Sequence, residues 1–406
     1  MTNTTLVVDA PTSKDEAWKY TPIKEISSRI STSNSADRTN SLSSKAFDID
    51  SLASDFGGPK LVFVNGFFNK ELSVIENLPT GLFCGITSDK NSAPQELLDI
   101  SENVRTIEGL YDKSDDYDVA LIKVNENIKF DLPIHIVHVS LDETDASNTD
   151  GVKIISHPRT IIELAKNAKL TVVETFCGVS KNSVTDASTT IRLGDNAQLE
   201  QCRIQNEQHD AVHVGTTKIE QGLNTKMYLA SITIGADIAR NAIEVQLASP
   251  DSTLDLTGIN LTNRHQVHDT VATVTHDASN CFSNQRFVGV VDDHGHGSFG
   301  GEIIVQKGTV ATDAHQTNRN LILNINAKAD TRPWLRIFAD DVKCTHGATV
   351  GRLDEDSLFY LRSRGIELNQ AKTMLIDAFL TEIMDTIEND VVRESVKSLV
   401  SKTTNH

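Results

Sequence analysis

Cysteine is scarce in this chain and never paired. Five residues, at positions 84, 177, 202, 281 and 344, form no Cys-x-x-Cys motif. An odd, scattered set excludes both a zinc ribbon and a disulfide framework, and the expected setting is the reducing cytoplasm. Aromatic residues amount to 5%, with two Trp, so platforms for sugar stacking are few. No stretch approaches the ~18 consecutive apolar residues of a membrane span. The first nine residues, Met1 to Asp9, lack the basic and apolar segments of an export signal. Positive charge is also short: 38 Lys and Arg face 56 Asp and Glu, a formal net charge of −18 with pI near 5.1. That balance argues against nucleic acid and anionic membrane as partners. The chain has no Gly-x-x-x-x-Gly-Lys-Ser/Thr phosphate loop, no Gly-x-Ser-x-Gly elbow and no dinucleotide fingerprint after a strand. Any ATP used in its work is therefore expected on another subunit.

What is present falls into three regions, as 406 residues are long for one core. Residues 1–118 read as a mixed, partly helical domain. Within it Lys14 to Ile26 is a short helical or turn segment carrying Trp18 and Tyr20. Ser27 to Ser44, with eight serines in eighteen residues, reads as a polar connector. Lys60 to Gly66 is a buried strand stopped by an Asn-Gly turn, and Glu96 to Leu110 reads as helical.

Residues 119–350 change texture to short β-branched runs separated by Asn, Asp and Gly. They carry an internal period. Ile162-Glu-Leu-Ala-Lys-Asn-Ala aligns with Ile191-Arg-Leu-Gly-Asp-Asn-Ala, and Ile219 and Val245 continue the series. A small residue recurs three positions after each start (Ala165, Gly194, Gly222, Ala248), and weaker echoes begin at Val274, Val305 and Ile325. The gaps are 29, 28, 26, 29, 31 and 20. Strand–turn–strand units at such a period predict stacked β coils about 4.8 Å apart, with a sandwich as the alternative. Residues 351–406 read as helical. Asp354 or Asp356 caps a first helix that Gly365 stops, and Asn369 caps a second. Its apolar positions Ala371, Leu375, Ile376, Phe379, Leu380, Ile383, Met384 and Ile387 follow 3.6-residue spacing. A third helix uses Val392, Val396, Leu399 and Val400. So wide an apolar face must dock on the β body or on another chain.

The chemistry-bearing residues cluster late. A strand-like run from Trp334 to Lys343 leads into Cys344-Thr-His346-Gly, and in extended backbone residues two apart share a face. Cys344 and His346 therefore read as a buried thiol beside a scaffold imidazole, as half of a site for a thiophilic metal, or as a weak nucleophilic dyad. Two ligands do not close a tetrahedral site, so the metal reading needs a second chain. Asp292-Asp-His294-Gly-His296-Gly reads as a polar turn or a weak metal site. Asp340 and Asp341, placed at a strand end, are the carboxylates that a β-helix polysaccharide lyase or hydrolase would use.

The segment Cys344-Thr-His-Gly-Ala-Thr-Val-Gly-Arg-Leu-Asp-Glu-Asp-Ser-Leu-Phe-Tyr-Leu-Arg-Ser-Arg-Gly365 resembles the C-terminal signature of the SufB/SufD family, scaffold components of the SUF iron–sulfur cluster assembly system. Glu16-Ala-Trp-Lys-Tyr-Thr-Pro22, Val62-Phe-Val-Asn-Gly66, Asp292-Asp-His-Gly-His-Gly-Ser298 and Thr312-Asp-Ala-His-Gln-Thr-Asn318 are similar to further family segments, and the Cys-x-His-Gly form is SufD-like. The resemblance implies a right-handed parallel β-helix flanked by N-terminal mixed and C-terminal helical domains. It implies a non-enzymatic scaffold that pairs with a SufB-type chain, and possible homodimerisation when alone. It also implies docking of a SufC-type ABC ATPase on the C-terminal helices, through Leu358, Phe359, Tyr360, Leu361, Arg364, Leu375 and Phe379. His346, with Cys344 beside it, would contribute to a nascent cluster site at the subunit boundary. No cofactor is expected to bind the isolated chain tightly; iron or a cluster would be transient in the complex.

Overall fold

The computed structural model describes residues 11–12, 14–35, 49–87, 93–95, 117–141 and 154–404. The expected helix at Glu96 to Leu110 and the later part of the serine-rich segment lie outside them. The earlier part does not: Ser27 to Ser31 belongs to helix α1 (Ile23–Ser31), because Ile23, Ile26 and Ile30 make a buried stripe that fixes the helix on the β body. A second, four-residue helix α2 follows at Ile49–Leu52.

From Arg159 onward the chain alternates between two long parallel sheets, one strand to each per coil, through about seven coils. This is the parallel β-helix that the repeat predicts. The period is visible as one aliphatic column inside the first sheet. Ile122, Ile162, Ile191, Ile219, Val245, Val274, Ile303 and Leu335 are consecutive register partners. The last two starts thus differ from the sequence reading. Ile303, not Val305, and Leu335, not Ile325, occupy the column, so the final gaps are 29 and 32. Ile325 is a corner residue, 82% exposed.

The coils turn at residues held in the left-handed region, which Asn tolerates better than most side chains. Asn127, Asn167, Asn196 and Asn224 occupy equivalent corners with φ between +52° and +62°. Their amides form a ladder: Asn167 Nδ2 donates to Asn127 Oδ1 (2.8 Å), Asn196 Nδ2 to Asn167 Oδ1 (3.0 Å) and Asn224 Nδ2 to Asn196 Oδ1 (2.7 Å). Each donor belongs to the later coil.

The two ends of the stack differ. At the early end Lys60–Val64 pairs with Ile134–Ser140 and Leu82–Ile86 pairs with Val119–Val124, and Leu61, Phe63 and Leu82 join the interior core. At the late end Lys328–Ile337 and Val342–Gly351 are the terminal strands of their sheets. The run from Trp334 to Lys343 is therefore not one strand. It bends at Asp340 and Asp341, and Cys344 and His346 sit inside the final strand rather than past its end.

Three helices close the chain. Helix α3 (Glu355–Ser363) is capped by Asp354, which accepts from Ser357 N at 2.8 Å, and Gly365 stops it at φ +87°. Helix α4 (Leu368–Met384) starts earlier than expected, because the Glu367 carboxylate, not Asn369, takes the Asn369 and Gln370 amides. Helix α5 (Asp390–Thr404) is capped by Asn389. The apolar face of α4 and α5 lies on the outer surface of the second sheet, with Ile376, Leu380, Ile383, Val392 and Val396 against Cys202, Ile232, Ile259 and Val288. Among the described residues no helix is long and apolar enough to cross a membrane.

Candidate functional site

Cys344 and His346 lie on the last strand, about 6.6 Å apart along it at ~3.3 Å per residue. Cys344 is in register with Ala314 and His346 with Gln316. Both partners are fully buried and face the interior of the coil, so the thiol and the imidazole share the inward face. Among the described residues no further strand covers them: Cys344 is half-buried and His346 exposed. On the opposite face Thr345 Oγ1 meets His315 Nδ1 at 2.7 Å.

Their surroundings differ. Cys344 packs with Leu335, Ala339 and Val342 against Ile303, Val305 and Ala314. Burial lifts the Cys344 thiol above its ordinary value, and Asp313 adds to the lift. The free chain therefore holds a protonated thiol, whose proton must leave before sulfur can serve as a ligand. Beneath His346 the column is polar. Gln316 Nε2 donates to Gln285 Oε1 at 3.0 Å, while Gln316 Oε1 has no partner. The rim exposes Trp334 (48%), Phe338 (58%) and Val350 (46%) beside the charged Arg336, Asp340, Asp341 and Lys343. Among the described residues no group of three or more His, Cys, Asp or Glu could hold a metal ion. A thiolate and an imidazole are ligand types that suit iron, and two ligands do not close a tetrahedral site.

The family model for the SUF system FeS cluster assembly, SufBD core domain, matches residues 146–379, more than half of the chain. The chain belongs to the SufBD family. It is 28% identical to an iron–sulfur cluster assembly SufBD family protein of Synechocystis, over 96% of this chain and 87% of the relative. Against the iron–sulfur cluster assembly protein SufD of Escherichia coli it is 29% identical, over 97% and 89%. A chloroplastic protein of Arabidopsis thaliana, ABCI7, is 28% identical over 96% and 82%.

Two of the SufBD-like segments meet on one buried carboxylate. Asp269 accepts from Thr21 of the N-terminal motif, from Ser298 of the Asp292–Ser298 motif, and from Arg240 at 2.6 Å. Trp18 lies 3.8 Å from the Arg240 guanidinium, and Glu16 takes Arg332 of the terminal strand at 2.6 Å. Trp18 and Tyr20 thus anchor the N-terminal segment on the β body, Tyr20 packing edge-on to His296 at 6.1 Å. Sequence reasoning missed this clamp, and it missed Gln285, Gln316 and Asp269 altogether. Gln316 does lie within the family-like Thr312–Asn318 segment, which was the available signal.

The weaker sites are now placed. His294 is in the corner and stacks on His265 at 4.9 Å, whereas His296 Nε2 pairs with Asp330 Oδ2 at 2.7 Å, so the two imidazoles serve different partners. Asp340 and Asp341 are exposed in the bend joining the last two strands, and Asp341 accepts from Ala311 N at 3.1 Å. They lie at the rim of the stack, not within a lateral groove. On α3, Phe359 (74%) and Tyr360 (57%) are exposed, and no residue of this helix is buried. Leu358 and Leu361 are half-buried, Arg364 stacks over Tyr360 at 5.1 Å, and Arg319 stacks over Phe379 at 4.9 Å. Leu375 is half-buried on α4.

Proposed function

We propose that the chain is a SufD-type scaffold subunit of an iron–sulfur cluster assembly complex, pairing end to end with a SufB-type chain and docking a SufC-type ABC ATPase. The observation that carries this reading is the uncovered last coil, where Cys344 and His346 share an inward face that no further strand closes. Open edges on two terminal strands offer backbone donors and acceptors to a homologous coil, and the exposed Trp334, Phe338 and Val350 supply apolar area to bury. The partner completes the ligand set, so a nascent cluster is held as cargo at the boundary rather than as a resident cofactor. Helix α3, with its exposed aromatics next to the last strand, is the ATPase contact, and nucleotide is bound and hydrolysed on that partner. The chain itself performs no bond chemistry and works in the cytoplasm. The SufD name of the Escherichia coli relative and the match along nearly the whole length support this choice.

The test is co-expression with SufB- and SufC-type chains, followed by His346→Ala. All three chains are expected to copurify in both forms, with iron and sulfide per complex falling at least fivefold in the variant. Undiminished cluster content in an intact complex would remove His346 from the site.

A further inference from the structure

Glutamines are buried repeatedly in this β body, Gln201, Gln205, Gln221 and Gln285 among them, and Gln316 is the one nearest the open end. It is 0% exposed, one coil beneath His346, and its carbonyl oxygen is unpaired. A buried acceptor without a donor is costly; Gln201, Gln205 and Gln221 share that state at Oε1, but Gln316 is the one in register with His346. Space has also been reserved for this amide, because a Cβ at Gly301 would lie 2.1 Å from Gln316 Nε2.

The direction of the existing hydrogen bonds says what the missing donor is. In the corner ladder each later coil donates its side-chain N–H to the carbonyl oxygen of the coil before it. The one amide bond beneath His346 has the same sense: Gln316 Nε2 donates to Gln285 Oε1 at 3.0 Å. The next member in register is His346, which carries a ring N–H. We infer that Gln316 is the positioning residue for His346: its Oε1 accepts one imidazole N–H when the end of the stack is covered, leaving the other ring nitrogen's lone pair turned outward as a metal ligand. A ring held at one nitrogen has its tautomer and plane fixed, the role that partners of ligating histidines generally play. Gln316 touches no metal in this arrangement and acts only through His346. The inference rests on the proposed site.

The experiment uses the apo complex of the three chains and Co²⁺ alone as the probe, read by the visible absorption of the bound ion. Gln316→Leu keeps the volume and removes the acceptor; it is expected to weaken Co²⁺ binding roughly 10- to 100-fold, the usual scale for such partners, with copurification intact. Gln316→Glu supplies an acceptor again, and should restore wild-type affinity or exceed it while shifting the absorption bands. Gly301→Ala should reproduce the Gln316→Leu defect by displacing the amide. Unchanged affinity in Gln316→Leu, or no recovery in Gln316→Glu, overturns the inference. Loss of binding in His346→Ala alongside normal binding in Gln316→Leu discards Gln316 and keeps the site; normal binding in His346→Ala discards the site itself.

Discussion

Replacing Asn196 separates two contributions that the corners combine. Its backbone sits at φ +57°, and its side chain both donates to Asn167 and accepts from Asn224. Asn196→Gly keeps the left-handed turn and loses the two amide bonds. These are partly solvated, so each is taken at the low end, ~0.5 kcal/mol, for about 1 kcal/mol in all. Asn196→Ala loses the same bonds and adds the left-handed cost of a β-carbon without a compensating polar group, about 1 kcal/mol more. The expected losses are therefore about 1 kcal/mol for Gly and about 2 kcal/mol for Ala. Urea unfolding followed by circular dichroism, with the slope unchanged, reads both as midpoint shifts. The same reasoning runs in reverse at Ala311, an exposed corner already held at φ +54°. Ala311→Gly should gain about 1 kcal/mol. Equal losses for the Gly and Ala variants at 196, with no gain at 311, would refute the account of the corners.

Two further outcomes follow from buried histidines and from α3. Burial, with Lys60 adding, pushes His135 down to about 3, and burial alone pushes His276 down to about 4. Burial likewise takes His268 to about 4. These groups stay neutral in the folded chain while the unfolded chain protonates near 6.5, so stability is full above pH 6.5 and drains as pH falls toward 4 and then 3. Each contributes a loss of about 2 kcal/mol by pH 5; a urea midpoint that stays flat from pH 7.5 to 5 would contradict this. Phe359→Ser combined with Tyr360→Ser should leave the unfolding midpoint within about 0.5 kcal/mol, since both side chains are exposed and the Arg364–Tyr360 stack is a surface contact. The same pair should abolish ATPase capture in a pull-down, and retained capture would move that contact off α3.

Much of the β-helix was legible because its period is written twice, in the aliphatic column and in the corner asparagines. The final coils blurred for a local reason. Ile303-Ile304-Val305 offers three aliphatic residues in succession, Ile303 and Val305 both face inward, and only pairing with Val274 shows that Ile303 holds the column. Helix ends were readable to within a residue or two, since Asp354 and Gly365 act locally, while Glu367 displaced Asn369 by reaching forward to the amides two and three residues on. Cys344 and His346 stood out as a pair of ligand types at strand spacing. Gln316 did not, because a lone glutamine in a strand looks like a solvent-facing position until the coil encloses it. The Asp269 junction was equally hidden: its donors Thr21, Arg240 and Ser298 lie 248, 29 and 29 residues away, and such distances leave no trace in a single sequence.

A stack whose coils touch only their neighbours should unzip gradually from its open end, as a row of weakly coupled units does. The two docked helices change that behaviour. Their apolar face forms one buried cluster with residues of six neighbouring strands of the second sheet, from Val173 through Cys202, Ala230, Ile259 and Val288 to Leu321. They act as a splint, so fraying at the business end cannot spread inward without stripping off the whole tail. A tug on α3 would correspondingly be shared across half the barrel's length, delivering force to the rim as one stiff lever rather than as a loosening thread.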